Sequence, residues 1–118
     1  MEADAPEEAV RQYEIWWASF PAPIGKRPVL LMSRDGAYEV LHSVLVCEIT
    51  TRIRNIPQEV TLGKRDGLDV RCVANFDNLH TVARARLTSR AGTLSGRRII
   101  EVKRAMGHLL GWPELALE

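Results

Sequence analysis

At 118 residues, the chain is the size of one domain with a modest core. Its 46% hydrophobic and 26% charged residues are ordinary for a soluble globular protein and favour neither disorder nor a membrane protein. The net charge is +1, and apolar runs stop at four residues, as in Val29–Met32, far short of a bilayer span.

The charge is unevenly spread. The first eight residues hold four acids (Glu2, Asp4, Glu7, Glu8) and no cation, so residues 9–118 carry 16 cations against 11 anions, or +5. Thirteen of those cations are arginine. A basic, arginine-rich body suits a polyanionic partner, because guanidinium forks match phosphate geometry; a merely solvated surface is the competing reading. Residues 1–11 read as a flexible acidic leader without the pattern of a secretory signal, and 12–118 as a single domain. Tyr13–Phe20, "YEIWWASF", is aromatic and β-branched and predicts a first strand. Trp16 and Trp17 must point to opposite faces of it, and the sequence does not say which is core. "PAPIGK" (21–26) breaks the strand with two prolines and a glycine.

"RPVLLMS" (27–33) predicts a second strand covered on both faces, followed by a turn at 34–37. Its opening raises a question, since cations beside a core are costly unless paired or used. A third strand is expected from about Glu39 to Thr50, with His42 inside it. The basic stretch "TRIRNIPQ" then forms a loop of a kind that often carries function. Glu59–Leu62 reads as a short strand, 63–68 as a turn-rich link, 70–78 ("VRCVANFDN") as a strand with an apolar alternate face, and 85–92 as one more short strand. The period then changes. Ile99, Val102, Met106, Leu109 and Leu110 predict an amphipathic helix over 96–110, capped by Ser95 and stopped by Gly111 and Pro113. Short strands closed by one helix describe a mainly β fold with a terminal helix, a small antiparallel barrel or sheet.

Phosphate loops, dinucleotide-binding glycines, metal-ligand spacings and nucleophile elbows are all missing, so no cofactor or metal is expected. Cys47 and Cys72 read as reduced core thiols, which with the lack of a signal favours the cytoplasm. His108 reads as surface and His42 as structural. His80 is of more interest because it closes "NFDNLHT", although a hydrogen-bonded Asx turn after a strand end would account for that cluster.

The ordered set "YEIWWASF", "KRPVLLMS", "VLVCEITT", "VANFDNLHT" and a helix ending "LLGW" resembles the MazF/PemK (Kid) toxins of bacterial toxin–antitoxin pairs, from about Tyr13 to Trp112. The resemblance implies an SH3-like barrel of the CcdB/MazF toxin type, a homodimer, a cognate antitoxin and metal-independent cleavage of single-stranded RNA at short sequences. It makes Arg27 of the Arg-Pro pair and Thr50 at the end of the third strand the functional pair. Attack by the substrate's own 2′-hydroxyl leaves a 2′,3′-cyclic phosphate and a 5′-hydroxyl, and donors aimed at the phosphate oxygens stabilise the charge that builds there. An arginine fork and a threonine hydroxyl suit that task.

The chain departs from the family at two places. Its first loop lacks the acid or histidine that many members carry, and Asn75 stands where the Kid branch has an arginine acting with the acid kept here as Asp77. His80 is a candidate replacement for the proton transfer. Lys26, Thr51, Arg52, Arg54, Asn75 and Asn78 are expected RNA contacts. A gyrase-poisoning toxin like CcdB, or an inactive antitoxin-binding relative, is the alternative expectation.

Overall fold

The computed structural model describes residues 9–116. The acidic leader therefore lies outside the described residues except for its last three. The frame is a six-stranded antiparallel sheet. Its strands are β1 (Glu14–Phe20), β2 (Gly25–Leu31), β3 (Ser43–Thr50), β4 (Glu59–Leu62), β5 (Cys72–Ala83) and β6 (Leu87–Thr93), in the spatial order β4-β5-β3-β2-β1-β6. Three helices join them: α1 (Ala37–Val40), α2 (Gly96–Leu110) and α3 (Pro113–Ala116). None of the helices described is long and apolar enough to cross a membrane.

The sheet curls into a half-barrel, and a turn bridges its two edges. A 3₁₀ turn, Lys64–Asp66, follows β4, and the next residue, Gly67, lies directly against Gly92 on β6. A Cβ at Gly67 would fall 2.0 Å from the Ala91 carbonyl oxygen, and one at Gly92 would fall 2.1 Å from that of Asp66. Gly67 also has φ +94°, a conformation that glycine adopts freely. The two edges can meet here only because both residues lack side chains.

Each face of the sheet has its own core. On the concave face Ile15, Leu30, Cys47, Ile49 and Phe76 pack under Val102 and Ala105 of α2. On the outer face Trp16, Ala18, Val29, Leu31, Val46 and Val82 pack around Tyr38. The unalternating apolar run of β2 serves both, as expected. Trp16 is the core tryptophan, and its indole donates to the buried Glu14 carboxylate at 2.9 Å. That carboxylate also pairs with Arg90 of β6 at 3.1 Å. Trp17 is half-buried on the concave side.

β5 supplies both faces by means of a bulge. Cys47 opposes Leu79 while Glu48 opposes Asn75, so residues 76–78 have no partner on β3. Three being odd, the alternation reverses. Cys72, Ala74 and Phe76 face the concave core, whereas Val82 joins the outer one.

Three expectations are corrected. The third strand begins at Ser43, because Ala37 and Tyr38 are drawn into the outer core by α1 after Gly36 turns the chain at φ +89°; His42 is exposed ahead of the strand. β5 runs on to Ala83 instead of stopping at Asn78, so Asp77 and Asn78 stand in a mid-strand bulge and not in a turn. β6 is shifted to Leu87–Thr93. The expected helix is present as α2 over 96–110, ending at Gly111 with φ +70°. Ser95 occupies its N-cap without a side-chain bond; its carbonyl accepts from the Arg98 and Ile99 amides.

A buried ion pair fastens α2 to the closing turn. Arg98 Nη1 lies 3.1 Å from Asp66 Oδ1, Arg98 Nη2 donates to the Thr61 carbonyl, and Asp66 Oδ2 accepts the Gly63 amide at 2.9 Å. Arg98 and Asp66 are 5% and 4% exposed, so neither charge has water to fall back on. Glu101, half-exposed 3.0 Å from Arg98 Nε, stays with the guanidinium when Asp66 is lost, so the cost should lie at the low end of the about 3–5 kcal/mol typical of a broken buried pair. We expect Asp66→Asn to lower the unfolding free energy by about that amount in urea titration; a loss under about 1 kcal/mol would show that the pair does not hold the turn.

Candidate active site

The Lys26-Arg27-Pro28 segment lies at the open end of the sheet, where β2 starts and β3 finishes. The β2–β3 ladder pairs Leu31 with Val46, Leu30 with Cys47 and Val29 with Glu48. Continuing that register by two residues sets Arg27 opposite Thr50. Pro28 comes one step past the last pair, so its missing N–H breaks no bond of that ladder. Pro28 sits beside Trp17 of β1, and Arg27 beside Ala18.

Arg27 is exposed and makes one long hydrogen bond, from Nε to the Ile24 carbonyl at 3.4 Å. Among the described residues it pairs with no carboxylate, neither Glu48 nor Asp77. Thr50 is half-buried, and its hydroxyl oxygen accepts the Arg52 amide at 3.1 Å, which leaves the hydroxyl proton free to point outward. An unpaired guanidinium and a threonine hydroxyl at the ends of two hydrogen-bonded strands make a rigid donor set for an anion.

Two clefts flank Arg27. The first, of about 340 Å³, is walled by Trp17, Pro28 and Ile49 and also lined by Thr50, Thr51, Asp69 and Val70. The second, of about 260 Å³, is lined by Phe20, Ile24, Val29, Glu48 and His80. Arg27 belongs to both. The β5 bulge brings His80 here: by reversing the alternation it places His80 opposite Val46, on the outer face that Arg27 shares through Ala18.

The other candidates are spread around this point. Lys26 is exposed beside Arg27, opposite Ser19. Thr51, Arg52 and Arg54 are exposed in the loop after β3, whose backbone is held from within: the Glu59 carboxylate accepts the Arg54 amide at 3.0 Å and the Asn55 amide at 3.0 Å, with Asn55 at φ +59°. Asn75 is buried, and its side-chain oxygen accepts the Asp77 amide at 3.0 Å, so it braces the bulge. Asp77 and Asn78 are exposed there and line neither cleft. Sequence reasoning missed Asp69 and weighed Glu48 only as a possible ion-pair partner for Arg27. Asp69 reaches the first cleft only because the closing turn folds back across the sheet, which no local pattern announces. The pairing of Arg27 with Thr50, by contrast, could have been counted from the β2–β3 register.

The whole architecture has relatives. Residues 11–110 match the family model described as PemK-like, MazF-like toxin of type II toxin–antitoxin system. A Mycobacterium tuberculosis protein described as probable endoribonuclease MazF5 is 39% identical over 87 residues, 73% of this chain and 79% of the relative. Among solved structures, the Mycobacterium tuberculosis toxin MazF-mt6 superposes with a TM-score of 0.76 at 28% identity, covering 83% of this chain and 96% of that one. A MazE–MazF structure from Deinococcus radiodurans gives 0.72 at 26% identity, covering 87% and 96%.

Cys72 lines the first cleft but is a poor nucleophile. Burial pushes its thiol up, with help from Asp66, and pushes Cys47 up further, with help from Glu48. Both thiols should resist a thiol reagent at about pH 8 in the folded protein and react together on unfolding. A fast-reacting thiol in the native state would contradict their placement. The unfolded chain ionises first, near the ordinary 9.0, so stability should fall as pH rises past that value.

Proposed function

The chain belongs to the PemK-like, MazF-like toxins of type II toxin–antitoxin systems, and we propose that, as an endoribonuclease of that family, it cuts single-stranded RNA at short sequences by attack of the substrate's own 2′-hydroxyl. The observation that carries this reading is that Arg27 and Thr50, which the β2–β3 register continued by two residues would set opposite each other, line one cleft with the Arg27 Nη groups and the Thr50 hydroxyl proton unspent among the described residues. A scissile phosphate held by the Arg27 fork and the Thr50 hydroxyl has its non-bridging oxygens neutralised as charge develops in the transition state. Because both groups sit on paired strands, little reorganisation is needed when the reaction begins.

Displacement at phosphorus is in line, so the attacking and leaving oxygens lie on opposite sides of the phosphate. Arg27 stands between the two clefts, which suits that geometry. His80 in the second cleft is placed to give a proton to the departing 5′-oxygen. Trp17 and Phe20 offer a π-face in each cleft on which a neighbouring base can stack. Lys26, Thr51, Arg52 and Arg54 attract the flanking backbone. Asp77 lines neither cleft, and we give it no chemical step. Asn78, exposed in the bulge, is left for a more distant nucleotide.

The family match also decides between nuclease and gyrase poison, in favour of the nuclease. We further propose a cytoplasmic homodimer whose cognate antitoxin inhibits by laying an acidic segment over the same cations, since a carboxylate-rich chain satisfies the donors that would otherwise take phosphate.

In EDTA, with a mixed-sequence RNA, the parent should give discrete cuts bearing 2′,3′-cyclic phosphate and 5′-hydroxyl ends. Arg27→Ala, matched for folding, should slow cleavage by about 10²–10³-fold. Cleavage at the parental rate by that variant would remove Arg27 from the chemistry. Arg52→Ala with Arg54→Ala should flatten the plot of log binding constant against log salt by about 1.4, two single-strand phosphate contacts' worth. An unchanged slope would make the loop a bystander.

A further inference from the structure

The reaction needs a group to take the proton from the attacking 2′-hydroxyl, and the residues expected to do so are not in the first cleft. The first loop carries neither acid nor histidine, Asn75 is buried, and Asp77 stands in the bulge. The first cleft nevertheless contains one carboxylate, Asp69, together with Arg27 and Thr50. We propose that Asp69 is the general base. This assignment rests on the nuclease reading above.

The placement of Asp69 argues for use. It is exposed, and among the described residues it makes no hydrogen bond and no ion pair, although the Arg27 guanidinium lines the same cleft. Two opposite charges that share a cleft without closing on each other leave room for something between them. An anionic side chain at a phosphate site also weakens binding of RNA by repulsion, so its presence there needs a compensating role. The backbone that carries it is fixed at both ends. Leu68 is buried and its amide donates to the Gly63 carbonyl at 3.2 Å, while Cys72 opens β5. Only three residues, 69–71, span the gap. Before Leu68 comes the Gly67–Gly92 contact, and before that the Asp66–Arg98 pair. A surface carboxylate thus inherits the rigidity of the core.

In the step, the Asp69 carboxylate takes the 2′-hydroxyl proton as the O2′–phosphorus bond forms. The phosphorus–O5′ bond breaks, its electron pair leaves on O5′, and O5′ takes a proton from the His80 imidazolium in the second cleft. The products are the cyclic phosphate and the 5′-hydroxyl. Solvent then removes the proton from Asp69 and returns one to His80. Base and acid occupy opposite sides of Arg27, as in-line displacement requires.

The test compares Asp69→Asn, which keeps size and shape but loses basicity, with His80→Ala on two substrates: ordinary RNA, and the same RNA with sulfur replacing the bridging 5′-oxygen, a leaving group that needs no proton. On ordinary RNA, Asp69→Asn should slow single-turnover cleavage about 10²-fold or more, with RNA binding equal or tighter, and Asp69→Glu should recover part of the rate. On the sulfur substrate His80→Ala should regain activity and Asp69→Asn should not. Three outcomes overturn the proposal. The first is cutting by Asp69→Asn within about twofold of the parent; the second is equally fast cutting at a different sequence, which makes Asp69 a reader of base edges; the third is rescue by the sulfur substrate as full as that of His80→Ala, which makes Asp69 an acid. Arg27→Ala run alongside separates the two levels. If Arg27→Ala is inactive while Asp69→Asn is fast, only the base assignment falls; if both are fast, the site itself is elsewhere.

Discussion

The closing turn, and with it the wall of the first cleft that carries Asp69, depends on one buried contact, the Arg98–Asp66 pair. An ion pair with both partners nearly sealed from water is a poor source of net stability, because desolvating two charges offsets most of their attraction. What it supplies is a fixed distance. Arg98 is anchored on α2 and reaches the Thr61 carbonyl as well as Asp66, so one guanidinium ties the helix, the edge strand β4 and the closing turn together. With that turn held, Gly67 meets Gly92 and the half-barrel is bridged. Leu68 and Asp69 then follow at a set height above the ends of β2 and β3.

Charge is handled differently at the core and at the mouth. At the core each buried charge is paired: Arg98 has Asp66, and the buried Glu14 carboxylate takes the exposed Arg90. At the mouth the arrangement is reversed. Among the described residues Arg27 has no carboxylate partner, while the nearby carboxylate of Glu59 is spent on backbone amides and thereby stiffens the loop that carries Arg52 and Arg54. A cationic surface whose internal neutralisation is withheld is strongly attractive to a polyanion. A loop already ordered before binding also loses less entropy when it engages one.

Much of the fold was legible because its signals are local. The helix over 96–110 announced itself by period and by Gly111, and β2 announced burial on both faces by an apolar run that lacks alternation. The site was half legible. Arg27 and Thr50 came from ordered motifs, and the counting of one hairpin register would have joined them. Three things were not legible, for a shared reason. Tyr38 pulls a β-branched and apolar stretch out of the strand and into α1 because a pocket on the outer face needs filling. His80 changes faces because of a bulge at residues of no special propensity. Asp69 enters the cleft because two glycines far apart in sequence let two sheet edges touch. Each depends on a partner more than a dozen residues away, and no window of sequence contains both ends.

The bulge in β5 carries a consequence of its own. A strand is a parity device: position decides face, and an odd insertion exchanges the two sets. In this chain the stretch 76–78 acts as that exchange, sending the residues before it to one core and the residues after it to the other. Its information therefore lies in its length more than in its letters. The side chains at 77 and 78 face solvent and bear no packing load, but the loss or gain of a single residue there would turn the whole second half of β5 over. His80 would leave the cleft and Val82 the outer core in the same stroke. Chemistry and packing are locked to one integer, so a lineage can change what this segment says but not how long it takes to say it.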